Sequence, residues 1–507
     1  MSAVADDSAW PATIPALIRA CRADSPDSPA FMDASRTIDH RALADLVDDL
    51  VHAFRTLGVA PGGCIALFLE GTAGIDGLVL SIAATCAGTV AILAAEPPAA
   101  WRARMIERLR PDLVVLRDGL SAGGIDAPIV RYAPGPALLT EGSAGERGPV
   151  RRLDPTDDPA PDATAFIMAT SGTTGEPRLV PMPHRMVLTD AAATMPTTDF
   201  GPDDRILLLG APSHAIAIWV YTALWHRAST VVGGLAGADE IAELCLQHRP
   251  TVTGATPMLL AKVGDRLARL MPGPSTSFRL VSSSGASMPT DIRARILGGF
   301  RCRLIDEYGS SEALSLSVDG ILRYPGVRIA DDSGAPLPHG VPGEIQARGE
   351  NVFPGYVDDP EATALAFTTD GWCRTGDLGL IDDEGRLILL GRLSERINRG
   401  GVKIAPLEIE QAALSHSGVF EAAAFPLPHP ELGQDVGLAI VLAPGAAVTA
   451  REMRRWLLGQ LPATHMPRTI RFLDALPRSA TGKVARLQLS PPGQAGNAPA
   501  SPHERRG

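Results

Sequence analysis

From Gly77 to Ala95 the chain runs roughly 19 residues without a charge, close to the length that spans a bilayer. How that run divides decides the fold class. Gly88 splits it into a helix-like half, residues 78–87, and a β-branched half, residues 89–93, and Pro97-Pro98 closes it. Helix, glycine, buried strand is the reading, and no membrane span is expected. The neighbouring sequence repeats the alternation. Residues 41–57 carry Leu43, Leu46, Val47, Leu50, Phe54 and Leu57 at helical spacing, 64–68 is a short apolar run, and 99–109 precedes the strand 113–116. This predicts a layered α/β domain with much parallel sheet. Residues 134–163, rich in Pro, Gly and Asp, read as a long surface connection.

A chain of 507 residues exceeds one ordinary core, so two or more domains are expected. Towards its end Pro406 opens a helix, and 420–425, 437–442 and 469–472 read as strands of a small α+β domain. After about Leu489 the sequence turns to Pro, Gly, Ala and Ser and reads as a disordered tail. The net charge of -11 argues against a nucleic-acid or anionic-membrane partner. Cys21, Cys64, Cys86, Cys245, Cys302 and Cys373 are scattered without a CxxC pair, as free thiols of a cytoplasmic protein would be. The first residues show no secretory signal.

Four stretches carry chemistry. Thr170-Ser171-Gly172-Thr173-Thr174-Gly175-Glu176-Pro177-Arg178 follows the strand-like 163–169. Its glycines let backbone N–H groups turn towards an anion, its hydroxyls add donors and Arg178 adds charge, so it can wrap phosphate oxygens. The GK[ST] ending of a Walker loop is absent, and composition alone equally allows a polar turn. Asp306-Glu307-Tyr308-Gly309-Ser310-Ser311-Glu312 sets an aromatic ring beside glycine, a hydroxyl and a carboxylate, the parts needed to stack a base, touch a phosphate and hold Mg²⁺. Thr375-Gly376-Asp377 and Gly391-Arg392 offer a carboxylate for ribose hydroxyls and an arginine to support it. Lys483, in Pro477-Arg478-Ser479-Ala480-Thr481-Gly482-Lys483, is a lysine on a glycine turn that could be swung onto a reacting centre. Each stretch alone also reads as an ordinary turn or surface charge.

In this order and separation the stretches resemble the adenylate-forming superfamily of acyl-CoA synthetases, nonribosomal adenylation domains and luciferases. The resemblance covers residues 11–486 and extends to Gly343-Glu344-Ile345, Gly355-Tyr356 and Asn398-Arg399-Gly400-Gly401-Val402-Lys403-Ile404-Ala405-Pro406. It implies a large domain of parallel-rich sheets over 1–392, a hinge at 393–395 centred on Ser394, a small mobile α+β domain over 396–489 and a tail at 490–507. It implies ATP and Mg²⁺, with a carboxylic acid joined to AMP and then passed to CoA, to a carrier protein or to an amine in trans.

The 170–178 loop, with Thr170 also near the metal, would hold the β- and γ-phosphates. Tyr308, flanked by Asp306, Glu307, Gly309 and Ser310, would cover adenine. Ser311 would touch the α-phosphate and Glu312 would bind Mg²⁺. Asp377 and Arg392 would hold the ribose, and Gly285, Ala286 and Ser287 would line the adenine and acyl pockets. Lys483 would serve adenylation, and the 398–405 loop with Lys403 the second step. His214, in Ala211-Pro212-Ser213-His214, would border the acyl pocket.

Some positions depart from the family pattern. Pro177-Arg178-Leu179 replaces the usual Pro-Lys-Gly, so the loop's tail loses a glycine's freedom. Ser311 replaces a threonine and keeps its hydroxyl, and Ser394 leaves the hinge neutral. No aspartate near His214 stands ready for an α-ammonium, so a medium-sized apolar or aromatic acid is expected. Gly400 and Gly401 leave room for a pantetheine arm, which favours CoA, and no carrier domain follows. A non-catalytic nucleotide sensor is the alternative of another class, and retention of Lys483, Glu312, Asp377 and Arg392 counts against it. Gly119-Leu120-Ser121-Ala122-Gly123 matches a serine hydrolase pattern, but Gly124-Ile125-Asp126-Ala127-Pro128 is a poor helix start and a turn is expected.

Overall fold

The structure is a computed structural model that describes residues 11–69, 74–94, 99–118, 125, 127–132, 155–170, 178–193, 198–210, 218–234, 236–271, 273, 276–286, 288, 290–477 and 484–489. It divides into two compact units. One comprises Met1–Gly285, Ala294–Val327 and Gln346–Thr375, and the other Ala286–Arg293, Arg328–Ile345 and Gly376–Gly507.

The uncharged run resolves as expected into a helix, Gly74–Ala87, and a strand, Thr89–Ala94. Gly88 between them is required sterically, because a Cβ there would collide with the Gly63 carbonyl oxygen. That carbonyl accepts the Thr89 N–H at 2.9 Å. The strand sits inside a six-stranded sheet in the order Ile129–Tyr132, Leu113–Arg117, Cys64–Leu69, Thr89–Ala94, Thr164–Thr170, Arg178–Pro183. All neighbours are parallel except the last pair. Residues 119–124 of the serine hydrolase pattern lie outside the described residues. The chain beyond them enters the strand Ile129–Tyr132, not a helix.

The same unit holds a nine-stranded sheet in the order Ile321–Leu322, Leu314–Val318, Arg303–Ser310, Leu280–Ser284, Val252–Ala255, Arg205–Leu209, Ser229–Gly234, Pro29–Met32, Thr37–Asp39. Its centre is parallel and both margins are antiparallel. Helix His40–Thr56 matches the helical spacing. Its N-cap Asp39 accepts the Ala42 N–H at 2.7 Å, and Leu43, Val47, Leu50 and Phe54 are buried.

In the second unit, Val402–Ile404, Ile397–Arg399, Gly433–Leu442 and Val419–His429 form a sheet, and Thr469–Phe472 adds a parallel strand to Gly433–Leu442. Helices Pro406–Leu414 and Ala450–Leu458 cover it, placing Ile409, Ala413, Met453 and Leu457 against Ile397, Val436, Leu438 and Ile440. This is the small α+β body that the strand pattern predicts. No helix among the described residues is long and apolar enough to cross a membrane. Burial raises every thiol for which a shift is resolved, Cys64 to about 11 and Cys21, Cys245 and Cys302 to about 12, which keeps these groups protonated at neutral pH.

Candidate functional site

The phosphate-loop candidate is closed by a β-ladder. Thr170 ends one strand, Arg178 begins the next, and the two are direct antiparallel partners. Ser171, Gly172, Thr173, Thr174 and Gly175 lie outside the described residues. The Arg178 guanidinium lies over the Tyr356 ring, 5.1 Å from its centroid. Leu179 is fully buried among Phe68, Met105, Val114, Leu116 and Ile167, and its carbonyl accepts the Val357 N–H at 3.0 Å. The residue standing where the family has glycine is therefore part of a core.

The strand Arg303–Ser310 delivers the second stretch. Adjacent residues face opposite sides of a sheet, so Glu307 and Tyr308 point apart. Glu307 Oε2 accepts the Ser282 hydroxyl at 2.9 Å, and its other oxygen is 3.6 Å from Arg323. The Arg323 side chain is 1% exposed and binds Asp190 at 2.9 Å, to which Tyr324 also donates at 3.1 Å. Burial pushes Asp190 up against the pull of Arg323. Tyr308 is half-buried and Asp306 exposed.

Gly309 sits where a Cβ would collide with the Leu314 carbonyl, so strand and turn can approach only through glycine. In that turn the Ser310 hydroxyl accepts the Ala313 N–H at 3.2 Å. Ser311 and Glu312 follow, both half-buried.

Glu312 is aimed by its surroundings. Its backbone carbonyl accepts the Phe353 N–H at 2.9 Å, and its Oε1 accepts the Tyr356 hydroxyl at 3.0 Å. Among the described residues its Oε2 accepts no hydrogen bond. Burial and the Glu312 carboxylate both push the Tyr356 phenol up, which keeps it a donor. A single carboxylate with one oxygen committed and one open suits Mg²⁺, which binds through one or two carboxylates plus phosphates and water. Among the described residues no group of three or more His, Cys, Asp or Glu side chains is arranged to hold a metal ion by itself.

Gly285 closes the strand Leu280–Ser284 at φ 78°, and Ala286 follows, exposed. Ser287 and His214 lie outside the described residues.

The second unit carries the ribose candidates. Asp377 and Arg392 are register partners on adjacent antiparallel strands, with Arg392 Nε donating to Asp377 Oδ1 at 2.9 Å. Asp377 is 4% exposed. Ser394 lies in the 3-10 turn Leu393–Glu395. Gly400 and Gly401 adopt φ 59° and 92° and form a two-residue hairpin turn, Arg399 pairing with Val402. Lys403 pairs with Asp332, which it holds below the usual carboxylate range. Lys483 lies outside the described residues, but its flanks are pinned. The Ala485 N–H donates to the Pro477 carbonyl at 2.8 Å, and Arg486 binds Glu410 at 2.7 Å and Glu395 at 3.1 Å.

Sequence reasoning recorded Gly355-Tyr356 as a motif but gave Tyr356 no role, and it passed over Asp190 and Arg323. The signal available for Tyr356 was an aromatic with a polar tip beside a glycine. Gly355 adopts φ 137°, and a Cβ there would press within 2.6 Å of Thr363.

These features define a two-unit α/β protein. The model of the AMP-binding enzyme family matches residues 18–357, and that of the AMP-binding enzyme C-terminal domain matches 408–483. The chain belongs to the AMP-binding enzyme family, as its motifs suggested. It is 30% identical to a sulfoacetate–CoA ligase of Cupriavidus necator, over 94% of this chain and 97% of that protein. A long-chain-fatty-acid–CoA ligase of Mycobacterium tuberculosis is 29% identical, over 92% and 95%. Apo MatB from Rhodopseudomonas palustris superposes with a TM-score of 0.81 at 26% identity, covering 94% of this chain and 98% of that one.

Proposed function

We propose that the protein uses ATP to activate a small-molecule carboxylic acid as acyl-AMP, releasing pyrophosphate, and then passes the acyl group to the thiol of CoA. One observation carries the first step above all. Glu312, in the turn after the Tyr308 strand, has one carboxylate oxygen fixed by Tyr356, and among the described residues the other accepts no hydrogen bond. Likeness to CoA ligases along almost the whole chain supports the second step.

The acid's carboxylate must approach an anionic α-phosphate, so the residues have to offset repulsion and hold the partners in line. The 170–178 loop takes the β- and γ-phosphates, Ser311 takes the α-phosphate and Tyr308 covers the adenine. Asp377, oriented by Arg392, takes the ribose hydroxyls. Glu312 is the residue that would hold Mg²⁺, which when bound neutralises phosphate charge. Lys483 stabilises the charge that gathers as the carboxylate attacks. Gly285, Ala286, Ser287 and His214 border the adenine and the acid. A small domain beginning after the Ser394 hinge then turns, withdrawing Lys483 and bringing the 398–405 loop with Lys403 to the second step.

Incubation with ATP, Mg²⁺, an acid panel and CoA, followed by mass analysis, tests the hand-over. The expected product is an acyl-CoA thioester with AMP. A product formed only with a carrier protein or an amine would replace CoA as the acceptor.

A further inference from the structure

The segment between Asn351 and Val357 is stitched to both phosphate-handling stretches of its unit. The Asn351 amide donates to the Ala313 carbonyl at 2.9 Å, the Phe353 N–H to the Glu312 carbonyl at 2.9 Å, and the Val357 N–H to the Leu179 carbonyl at 3.0 Å. Tyr356 lies inside this bridge. Its backbone N–H donates to Thr363 Oγ1 at 2.9 Å, and its ring packs edge-on against Phe353 with centroids 4.9 Å apart. From that fixed position its ring carries the Arg178 guanidinium at 5.1 Å, and its hydroxyl donates to Glu312 Oε1 at 3.0 Å.

We propose that Tyr356 is a positioning residue for nucleotide and metal, its ring orienting Arg178 at the end of the phosphate loop and its hydroxyl fixing one oxygen of Glu312 so that the other is presented. The ring contact and the Glu312 hydrogen bond differ in kind, and because the hydroxyl also reaches Arg178, loss of the hydroxyl touches both partners whereas a change at Arg178 leaves the Glu312 contact in place. Arginine makes the stronger contact with an aromatic ring and adds directed N–H donors that an ammonium lacks, so this arrangement favours arginine at position 178. A hydrogen bond to one oxygen of a metal-binding carboxylate fixes which oxygen faces the metal, and loss of such a partner costs about 10- to 100-fold in metal affinity.

The inference rests on the proposed ATP site, and one set of binding measurements separates the two. ATP binding is measured by calorimetry in saturating Mg²⁺ and in chelator, for wild type, Tyr356→Phe, Tyr356→Leu and Arg178→Lys. Thermal unfolding verifies that each variant is folded. Tyr356→Phe keeps the ring and loses the hydroxyl. It is expected to lose about 10-fold of the Mg²⁺-dependent gain in affinity, a larger change than that in chelator, where only the hydroxyl's contact with Arg178 is lost. Arg178→Lys keeps the charge and loses the stack, and is expected to weaken ATP in both conditions while leaving the Mg²⁺ gain intact. Tyr356→Leu should show both losses.

A Tyr356→Phe protein with the full Mg²⁺ gain overturns the hydroxyl's role, and Arg178→Lys binding like wild type overturns the ring's. Wild type that binds no ATP refutes the functional reading itself. Should Tyr356→Leu fail to fold, the two conservative variants still decide.

Discussion

Arg392 Nε donates to Asp377 Oδ1 at 2.9 Å across two antiparallel strands, with the Asp377 side chain 6% exposed and that of Arg392 50% exposed. The arginine holds the carboxylate in place, the arrangement proposed above to take the ribose hydroxyls. Hydrogen bonds to charged groups contribute about 1.5–3 kcal/mol each. With two such bonds, Asp377→Ala should raise the Kd for ATP by about 100-fold or more, and wild type should bind 2′,3′-dideoxy-ATP about as weakly. Unchanged ATP affinity in Asp377→Ala would remove the ribose assignment.

Leu179 predicts a loss of stability where the family pattern suggests a harmless return to glycine. Its side chain fills the layer beside Phe68, Val114 and Ile167. Leu179→Gly should cost about 4 kcal/mol, from the cavity and from added backbone freedom. Denaturant unfolding monitored by circular dichroism measures this, and a loss below about 1 kcal/mol would contradict the buried placement.

His184 predicts an acid-sensitive fold. Its Nδ1 accepts the Ile14 N–H at 3.2 Å, and burial pushes the imidazole down from 6.5 to about 4. The folded value lies below the unfolded one, so the unfolded chain takes up the proton first. The stabilisation is complete above about pH 6.5 and is lost as pH falls towards 4, roughly 2 kcal/mol being gone at pH 5. His40 shifts the same way. His184→Gln retains an acceptor and removes the titration, so its melting temperature should fall less than that of wild type between pH 7 and pH 5. Equal falls would show that His184 does not titrate this way.

Lys483 predicts a split between half-reactions. Lys483→Ala should slow acyl-adenylate formation by about a hundredfold, on the order of 3 kcal/mol. Consumption of a preformed acyl-adenylate with CoA should survive better. Rapid-quench assay of each step checks it, and equal loss in both contradicts the turning of the small domain between steps.

The α/β layering was legible because helix and strand periods differ and Gly88 marks their junction. The small domain was legible for the same reason, its strand 469–472 falling on Thr469–Phe472. The order of the motifs was enough to name the family.

What sequence did not disclose is what neighbours do across long separations. Glu307 reads as part of a nucleotide stretch, yet strand alternation turns it away from Tyr308 towards Arg323 and Asp190. Ser310 reads as a residue flanking the adenine contact, and its hydroxyl in addition accepts the Ala313 N–H in the turn. Leu179 reads as a loop residue that has lost freedom, whereas its environment is assembled from strands far away in the chain. Tyr356 meets Glu312 across 44 positions, a pairing no local pattern carries.

Acid-dependent release of pyrophosphate from ATP, with Mg²⁺ present and no CoA or amine added, tests the central claim most directly. The account predicts release, in a first turnover stoichiometric with enzyme, for at least one acid of a broad panel, and its loss in Glu312→Gln. Tight ATP binding with no pyrophosphate from any acid would contradict it and leave a nucleotide sensor in its place.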